Sequence, residues 1–245
     1  MAAVSPHPSV PLSAPVPARA LERAVAHVRA GGLLILPTDT VYGIGALAAD
    51  AAGVSRLLAA KGRDRRMPPP VLVADPAQAA AVAAVPAAAR ALIGAFWPGA
   101  LTLVLDVRAD PGWDLGETGG TVALRMPDHP LALELLRRTG PLAVTSANRT
   151  GLTPATDAGS ALAAFPGRVV RADAAGPGGG GPDGARGADI LLLDGGPTPG
   201  PVPSTIVRLA GGSPGPVVVR EGVVPRAALA AVLGAAADVE EGAGA

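Results

Sequence analysis

The sequence predicts an α/β fold, and three observations carry that prediction. Short apolar runs of strand length alternate along the chain with longer segments of helical periodicity, so strands and helices are mixed rather than segregated. Hydrophobic residues make up 49% of the 245 residues and aromatics only 2%, so a sizeable core is available, built mostly of Ala, Val, Leu and Ile. No internal repeat divides the chain. The glycine-rich stretch after Arg171 could pass for a linker, but too few strands follow it to build a second core, and one domain is expected.

Taken in order, residues 1–18 are broken by proline and lack a basic leader, which reads as a disordered tail and not a signal peptide. "RALERAVAHVRAGG" sets Leu21, Val25 and Val28 on one stripe and stops at Gly31, as a helix does. "LLILP" is too short for a helix and reads as a buried strand, "TDTVYGIG" as a polar turn, and "AAGVSRLLAAKGR" as the next helix. "PVLVAD" is a strand. "PAQAAAVAAV" and "PAAARALIGAF" open with proline in the first helical turn, where its missing N–H is not needed. "ALTLVLDV" and "TVALRMP" are strands, and "HPLALELLRRTG" is a helix with basic residues in its last turn. "PLAVTSAN" is a strand running into a polar turn, and "ATDAGSALAAF" a helix. Residues 172–188 can bury nothing and read as a mobile loop. "ILLLDGG", "STIVRL" and "PVVVREG" are strands, "VPRAALAAVLGAAA" closes the domain as a helix, and residues 235–245 are a loose end.

Composition excludes several function classes. Formal net charge is zero, which argues against gripping nucleic acid by bulk charge and leaves a local basic groove open. Without cysteine there is no disulfide, thiolate catalysis or cysteine zinc site. His7, His27 and His129 are scattered, and no metal-ligating set is expected. No apolar run reaches the ~18 residues of a membrane span, so a soluble cytoplasmic protein is expected.

Against a background rich in Ala, Gly, Pro and Arg, three residue types with AT-rich codons occur once each: Lys61, Asn148 and Tyr42. All three stand in segments dense in polar groups. In "KGRDRR" the cations at a helix end either answer the helix dipole or hold an anion, and lysine offers a compact point charge where arginine offers a planar fork. In "TVALRMP" Thr121, Ala123 and Arg125 share one strand face while Val122 and Leu124 share the apolar one, which leaves Arg125 either on the surface or facing a carboxylate. "VTSANRTG" and "PTDTVYG" both leave an apolar strand for a turn of hydroxyl and amide groups, where α/β folds gather ligands and where Ser and Asn are also ordinary turn formers. "PSTIVRL" puts Ser204 at a strand start, with Ile206 and Arg208 on the same face. Two lures fail: "GIGALA" does not open a helix directly after its strand, and no Gly-Lys-Ser/Thr ends the "GPGGGG" stretch, so neither dinucleotide fingerprint nor phosphate loop is present.

In combination, "PTDTVYGIG", "KGR", "FWPGALTLVL", "VALRMPDHPLA", "TSANRTG" and "STIV" with "VVREG" resemble the YrdC-like threonylcarbamoyl-AMP synthase family over roughly Leu21 to Val224. The resemblance implies a single YrdC-like catalytic domain at 19–234, a twisted mixed sheet flanked by helices around a concave cavity. It implies a nucleotidyltransferase that makes threonylcarbamoyl-AMP and pyrophosphate from L-threonine, bicarbonate and ATP, with Mg²⁺ bound through the polyphosphate. A downstream tRNA threonylcarbamoyl transferase machinery would consume the product, and weak direct RNA binding stays open. Carried over by position, Lys61, Arg63, Ser146 and Asn148 form the catalytic tetrad. Those four with Thr121 and Arg220 form the ATP side, and Thr40, Arg125, Thr145 and Ser204 the L-threonine side. Met67 and Arg208 depart from the family, which often has a polar and an acidic residue there; Thr153 or Pro154 also falls near the ATP side. The extra C-terminal domain of some relatives is expected to be absent, and the glycine-rich insertion to be non-catalytic. Two other readings stay open: a non-catalytic RNA-binding module of the same fold, against which the zero charge and few aromatics weigh, and a paralogue with a different acceptor.

Overall fold

The computed structural model describes residues 16–174, 188–210, 212, 215–234 and 240–241. Most of the expected tail, glycine-rich loop and C-terminal end therefore lies outside the described residues. The first helix, α1 (Ala18–Arg29), begins one residue inside the expected tail. It leads to β1 (Leu33–Leu36), whose four residues are all buried. A turn follows, then β2 (Gly43–Leu47) and α2 (Ala51–Lys61). β3 (Val71–Leu72) is short, and α3 (Pro76–Val82) and α4 (Ala87–Phe96) follow it. α3 has proline in its first turn and Asp75 as cap, the Asp75 carboxylate accepting from Gln78 N–H at 2.9 Å. β4 (Leu101–Asp106), β5 (Thr121–Arg125), α5 (Pro130–Thr139) and β6 (Leu142–Ser146) build the middle of the molecule. Then come α6 (Ala158–Ala163), β7 (Val169–Arg171), β8 (Ile190–Leu192), β9 (Thr205–Arg208), β10 (Val217–Arg220), α7 (Arg226–Leu233) and β11 (Glu240–Glu241).

The described strands form one mixed sheet in the order β11-β10-β9-β4-β5-β3-β6-β2-β1-β8-β7. Both faces carry apolar layers. On one, Leu57 and Leu58 of α2, Leu92 and Phe96 of α4, Ala161 of α6 and Leu229 of α7 pack on Ile35, Ile44, Val71, Leu103, Leu124 and Val207. On the other, Val25 and Val28 of α1 and Leu131, Leu135 and Leu136 of α5 pack on Leu34, Leu36, Leu72, Leu142 and Val144. Each fully buried leucine of α5 contributes roughly 2 kcal/mol by leaving water. α1 and α5 cover only the β8-β1-β2-β6-β3 part of their face. The part made by β5, β4 and β9 keeps Ala123, Val104 and Ile206 only half-buried, and this open stretch is where polar side chains collect.

The structure corrects the reading of "TDTVYGIG". Its second half is not turn but β2, paired antiparallel with both β1 and β6. Glycine disguises the strand, and its reason is contact. A Cβ at Gly43 would lie 2.5 Å from a Val144 methyl, and one at Gly45 2.6 Å from the Ala143 carbonyl, so the two glycines let β6 close down on β2. β7 and β11 are likewise strands where none was expected.

Candidate active site

The C-terminus of α2 is the first part of the site. Gly62 at φ 66° ends the helix in a left-handed turn, and Arg63 N–H reaches back to Leu58 O at 3.0 Å. The Lys61 side chain, 1% exposed, then turns into the loop after β6. Its Nζ donates to Ser146 O at 2.5 Å, to Asn148 Oδ1 at 3.2 Å and to Asn148 O. An ammonium has three donors, and here all three are spent on one turn. The turn answers in kind: Thr150 Oγ1 donates to Lys61 O at 2.8 Å, and Asn148 Nδ2 donates to Leu152 O at 2.6 Å. Burial, and secondarily the charge of Arg63, pull the Lys61 ammonium down to about 7. Arg63 is half-buried beside it, its Nε buried with no hydrogen-bond partner among the described residues.

The second part is a row of residues across the sheet. One residue beyond the Leu103–Leu124 pair, Thr102 of β4 stands opposite Arg125 of β5, and Thr102 pairs with Ile206 of β9, which pairs with Arg220 of β10. Arg220 holds its place because of a β-bulge. Val218 pairs with Val207 on the core face, and in regular alternation Arg220 would share that face; the register shift between Val218 and Arg220 moves it opposite Ile206 instead. Arg220 Nη2 donates to Ser204 O at 2.8 Å, and Ser204 Oγ is 2.9 Å from Thr102 Oγ1. Burial lowers the pKa of Arg220, and the charges of Arg125 and Arg63 lower it further, so Arg220 lies within the field of two other guanidinium groups.

Arg125, 6% exposed, donates from Nη1 to Thr40 Oγ1 at 3.2 Å, from Nε to Gly99 O at 3.0 Å and from Nη2 to Asp39 Oδ1 at 2.6 Å. The alternation expected for β5 holds, with Val122 and Leu124 in the core and Arg125 on the open face. Eight of the ten residues singled out in the sequence are thus linked by hydrogen bonds or by the mutual fields of their charges: Lys61, Arg63, Ser146, Asn148, Arg220, Ser204, Arg125 and Thr40. Thr121 and Ser146 lie at the same end of the sheet, each three residues along its strand from the residue that pairs with Val71, but the Thr121 hydroxyl donates to Thr118 O at 2.8 Å. Thr145 pairs with Ile44 and is buried in the strand body.

A family model joins this geometry to known proteins. The Sua5/YciO/YrdC model, described as telomere recombination, matches residues 26–179. The chain belongs to the Sua5/YciO/YrdC family. A protein of Mycobacterium tuberculosis (strain ATCC 25618 / H37Rv), provisionally named a threonylcarbamoyl-AMP synthase, is 44% identical over 217 residues, 88% of this chain and 90% of its own length. The threonylcarbamoyl-AMP synthase of Bacillus subtilis (strain 168) is 37% identical over 87% of this chain. Among solved structures, that of P. abyssi Sua5 complexed with L-threonine superposes with a TM-score of 0.75 at 32% identity, covering 91% of this chain. This chain spans 56% of the B. subtilis protein and 58% of the P. abyssi one.

Family motifs pointed to eight linked residues and passed over others that the fold places among them. Asp39 stands inside the quoted "PTDTVYG", and Gly99 and Thr102 inside "FWPGALTLVL", yet none of the three was given a role. His129, 1% exposed, is held near 4 by burial, partly offset by the charge of Asp39, and its Nδ1 is buried with no hydrogen-bond partner among the described residues. The departures Met67 and Arg208 are both exposed. No helix among the described residues is long and apolar enough to cross a membrane.

Proposed function

We propose that this Sua5/YciO/YrdC protein is an L-threonylcarbamoyladenylate synthase, a nucleotidyltransferase that joins L-threonine, bicarbonate and ATP into threonylcarbamoyl-AMP and releases pyrophosphate. The observation that carries the reading is the convergence of Arg63, Arg125 and Arg220 beside a turn pinned by Lys61, with no carboxylate among the influences on Arg63 or Arg220. Among the described residues neither Arg63 nor Arg220 has a carboxylate partner, and such cations are matched to an anion of comparable charge, as a polyphosphate is. Arg63 and Arg220 hold the polyphosphate, and the Ser146–Asn148 turn receives the nucleotide. Arg125, with Thr40 and Ser204 beside it, takes the threonine carboxylate. That division follows the family motifs matched in the sequence, and a relative from P. abyssi has been solved with L-threonine.

The chemistry needs positioning more than a protein nucleophile. The threonine nitrogen adds to bicarbonate to give a carbamate, and a carbamate oxygen attacks the α-phosphorus of ATP while pyrophosphate leaves. Charge that grows on the phosphoryl oxygens meets guanidinium groups already fixed in place, so little reorganisation is needed at the moment of reaction. Mg²⁺ would supply further charge neutralisation on the polyphosphate. Among the described residues no three His, Cys, Asp or Glu side chains gather into a metal site. The product serves threonylcarbamoylation of tRNA in the cytoplasm.

Pyrophosphate release from ATP tests the reading. It should require both threonine and bicarbonate and fall to background when either is omitted. Release without threonine, or with a different amine in its place, would remove the assignment and favour another acceptor.

A further inference from the structure

The synthase reading leaves the amine of the amino acid without a partner, and the structure holds a carboxylate beside the residue that takes its other end. Asp39 lies in the turn between β1 and β2. Its pair with Arg125 spans 2.6 Å, and the two side chains are each 8% exposed. Arg125 also donates to Gly99 O and Thr40 Oγ1. A guanidinium has five N–H donors, so two remain, one on each terminal nitrogen, for a second carboxylate. Among the described residues, Asp128 and His129 also sense the charge of Asp39. Burial keeps His129 neutral near pH 7, so it brings no cation to compete for Asp39.

An amino acid reaches the protein as a zwitterion. Met by Arg125 alone, its ammonium would be left unpaired in a largely buried site, which is costly. With Asp39 present, guanidinium, substrate carboxylate, substrate ammonium and Asp39 carboxylate alternate in sign and sum to zero. Without substrate, Asp39 and Arg125 neutralise each other.

We propose that Asp39 is the amine-side residue of this site: it holds the substrate ammonium while Arg125 holds the substrate carboxylate, and it takes the proton whose loss frees the nitrogen lone pair. The inference rests on the synthase reading. In the step, the bond between nitrogen and the bicarbonate carbon forms and the bond from that carbon to its hydroxyl breaks. One ammonium proton passes to Asp39, and a second leaves with the hydroxide as water. Carbamate, water and protonated Asp39 together carry the net single negative charge of the ammonium, bicarbonate and Asp39 carboxylate that entered.

Binding of L-threonine is compared by calorimetry with that of (2S,3R)-2,3-dihydroxybutanoate, which keeps the carbon skeleton and carboxylate and replaces the ammonium with a hydroxyl. Wild-type protein should prefer threonine by roughly ten- to a hundredfold, the usual worth of a charged hydrogen bond. In Asp39→Asn the preference should shrink to within about threefold, with affinity for the dihydroxy acid kept or raised, because Arg125 still holds it. If Asp39 only orients Arg125, both ligands weaken together and the ratio stays at its wild-type value, which overturns the proposal. Asp39→Ser, run in parallel with thermal melts of both variants, gives the same ratio should the amide not hold the pocket. A wild-type protein that binds neither ligand would strike the synthase reading itself, whereas threonine binding with an unchanged ratio in both variants strikes the role of Asp39 alone.

Discussion

Lys61 shows how a single residue type can be fixed by geometry. Its ammonium meets three oxygens of one turn, two of them carbonyls, and its own carbonyl accepts from Thr150. A guanidinium spreads its donors in a plane and cannot point three of them at so compact a set. In the proposed synthase, Lys61 would therefore act on the nucleotide through the turn it holds. The other two singletons divide. Asn148 is part of the same turn, whereas Tyr42 is a structural pin: its one hydroxyl proton is shared between Gly196 O at 2.7 Å and Asp194 Oδ1 at 3.1 Å, and burial raises its pKa. Both Lys61→Met and Lys61→Arg should thus weaken ATP binding, the arginine rescuing little, and equal affinity in wild type and Lys61→Arg would refute the pin. A second measurement reads the charge. Burial lowers the Lys61 pKa to about 7, and the charge of a polyphosphate held on the neighbouring Arg63 would raise it through space. Just above pH 7 the complex then holds more protons than the free protein, so ATP binding takes up a proton and weakens as pH rises. Calorimetry in two buffers of different ionisation enthalpy should show uptake in wild type and lose it in Lys61→Met.

At the scale of elements, local devices decide what reaches the site, and several leave no mark on hydrophobic pattern. The apolar runs of β1, β4, β5 and β6 and the stripes of α1 and α5 were legible because burial imposes their periods. β2 was hidden because its glycines answer the close approach of Val144, a tertiary fact. The aim of Arg220 was hidden because a bulge, not alternation, sets its face. The Asp39–Arg125 pair joins residues far apart in sequence, which no local period encodes. Two glycines separate local from tertiary demands. Around Gly62, at φ 66°, nothing lies within 4 Å of an added Cβ. Gly62→Ala should therefore cost only the left-handed conformation, about 1 kcal/mol, or a fall of ~2–4 °C in Tm. At Gly222 a Cβ would lie 2.2 Å from Pro203 O and 2.6 Å from the Ser204 carbonyl carbon. That backbone must move, carrying Ser204 and its contact to Arg220. Gly222→Ala should lower Tm by more than Gly62→Ala and also weaken substrate binding; thermal melts and ATP titrations of the pair check both.

Across the whole molecule, the groups sealed between the sheet and its helices set the response to acid. His129 sits under the site at the head of α5, held neutral until about pH 4 by burial, where an unfolded histidine titrates near 6.5. Between those values the unfolded chain binds a proton that the fold refuses, so stability falls as pH drops through that window. His27 is shifted in the same direction, chiefly by burial. The carboxylates act lower. Asp189 and Asp173 are held below their ordinary 3.8 by Arg168 and Arg171, so their contribution persists above that value and is lost beneath it. Asp128, raised by burial and by Asp39, works in the opposite sense and favours the fold as it protonates. The loss of stability between pH 7 and pH 5 therefore belongs to the histidines, and about 2 kcal/mol of it to His129 if its shift is carried in full. His129→Gln should remove that share: urea midpoints at the two pH values should lie closer together in the variant than in wild type, even where the substitution lowers both. Equal spacing in the two proteins would mean that His129 titrates normally in the fold, and that Asp39 has a protonated imidazole beside it in mild acid.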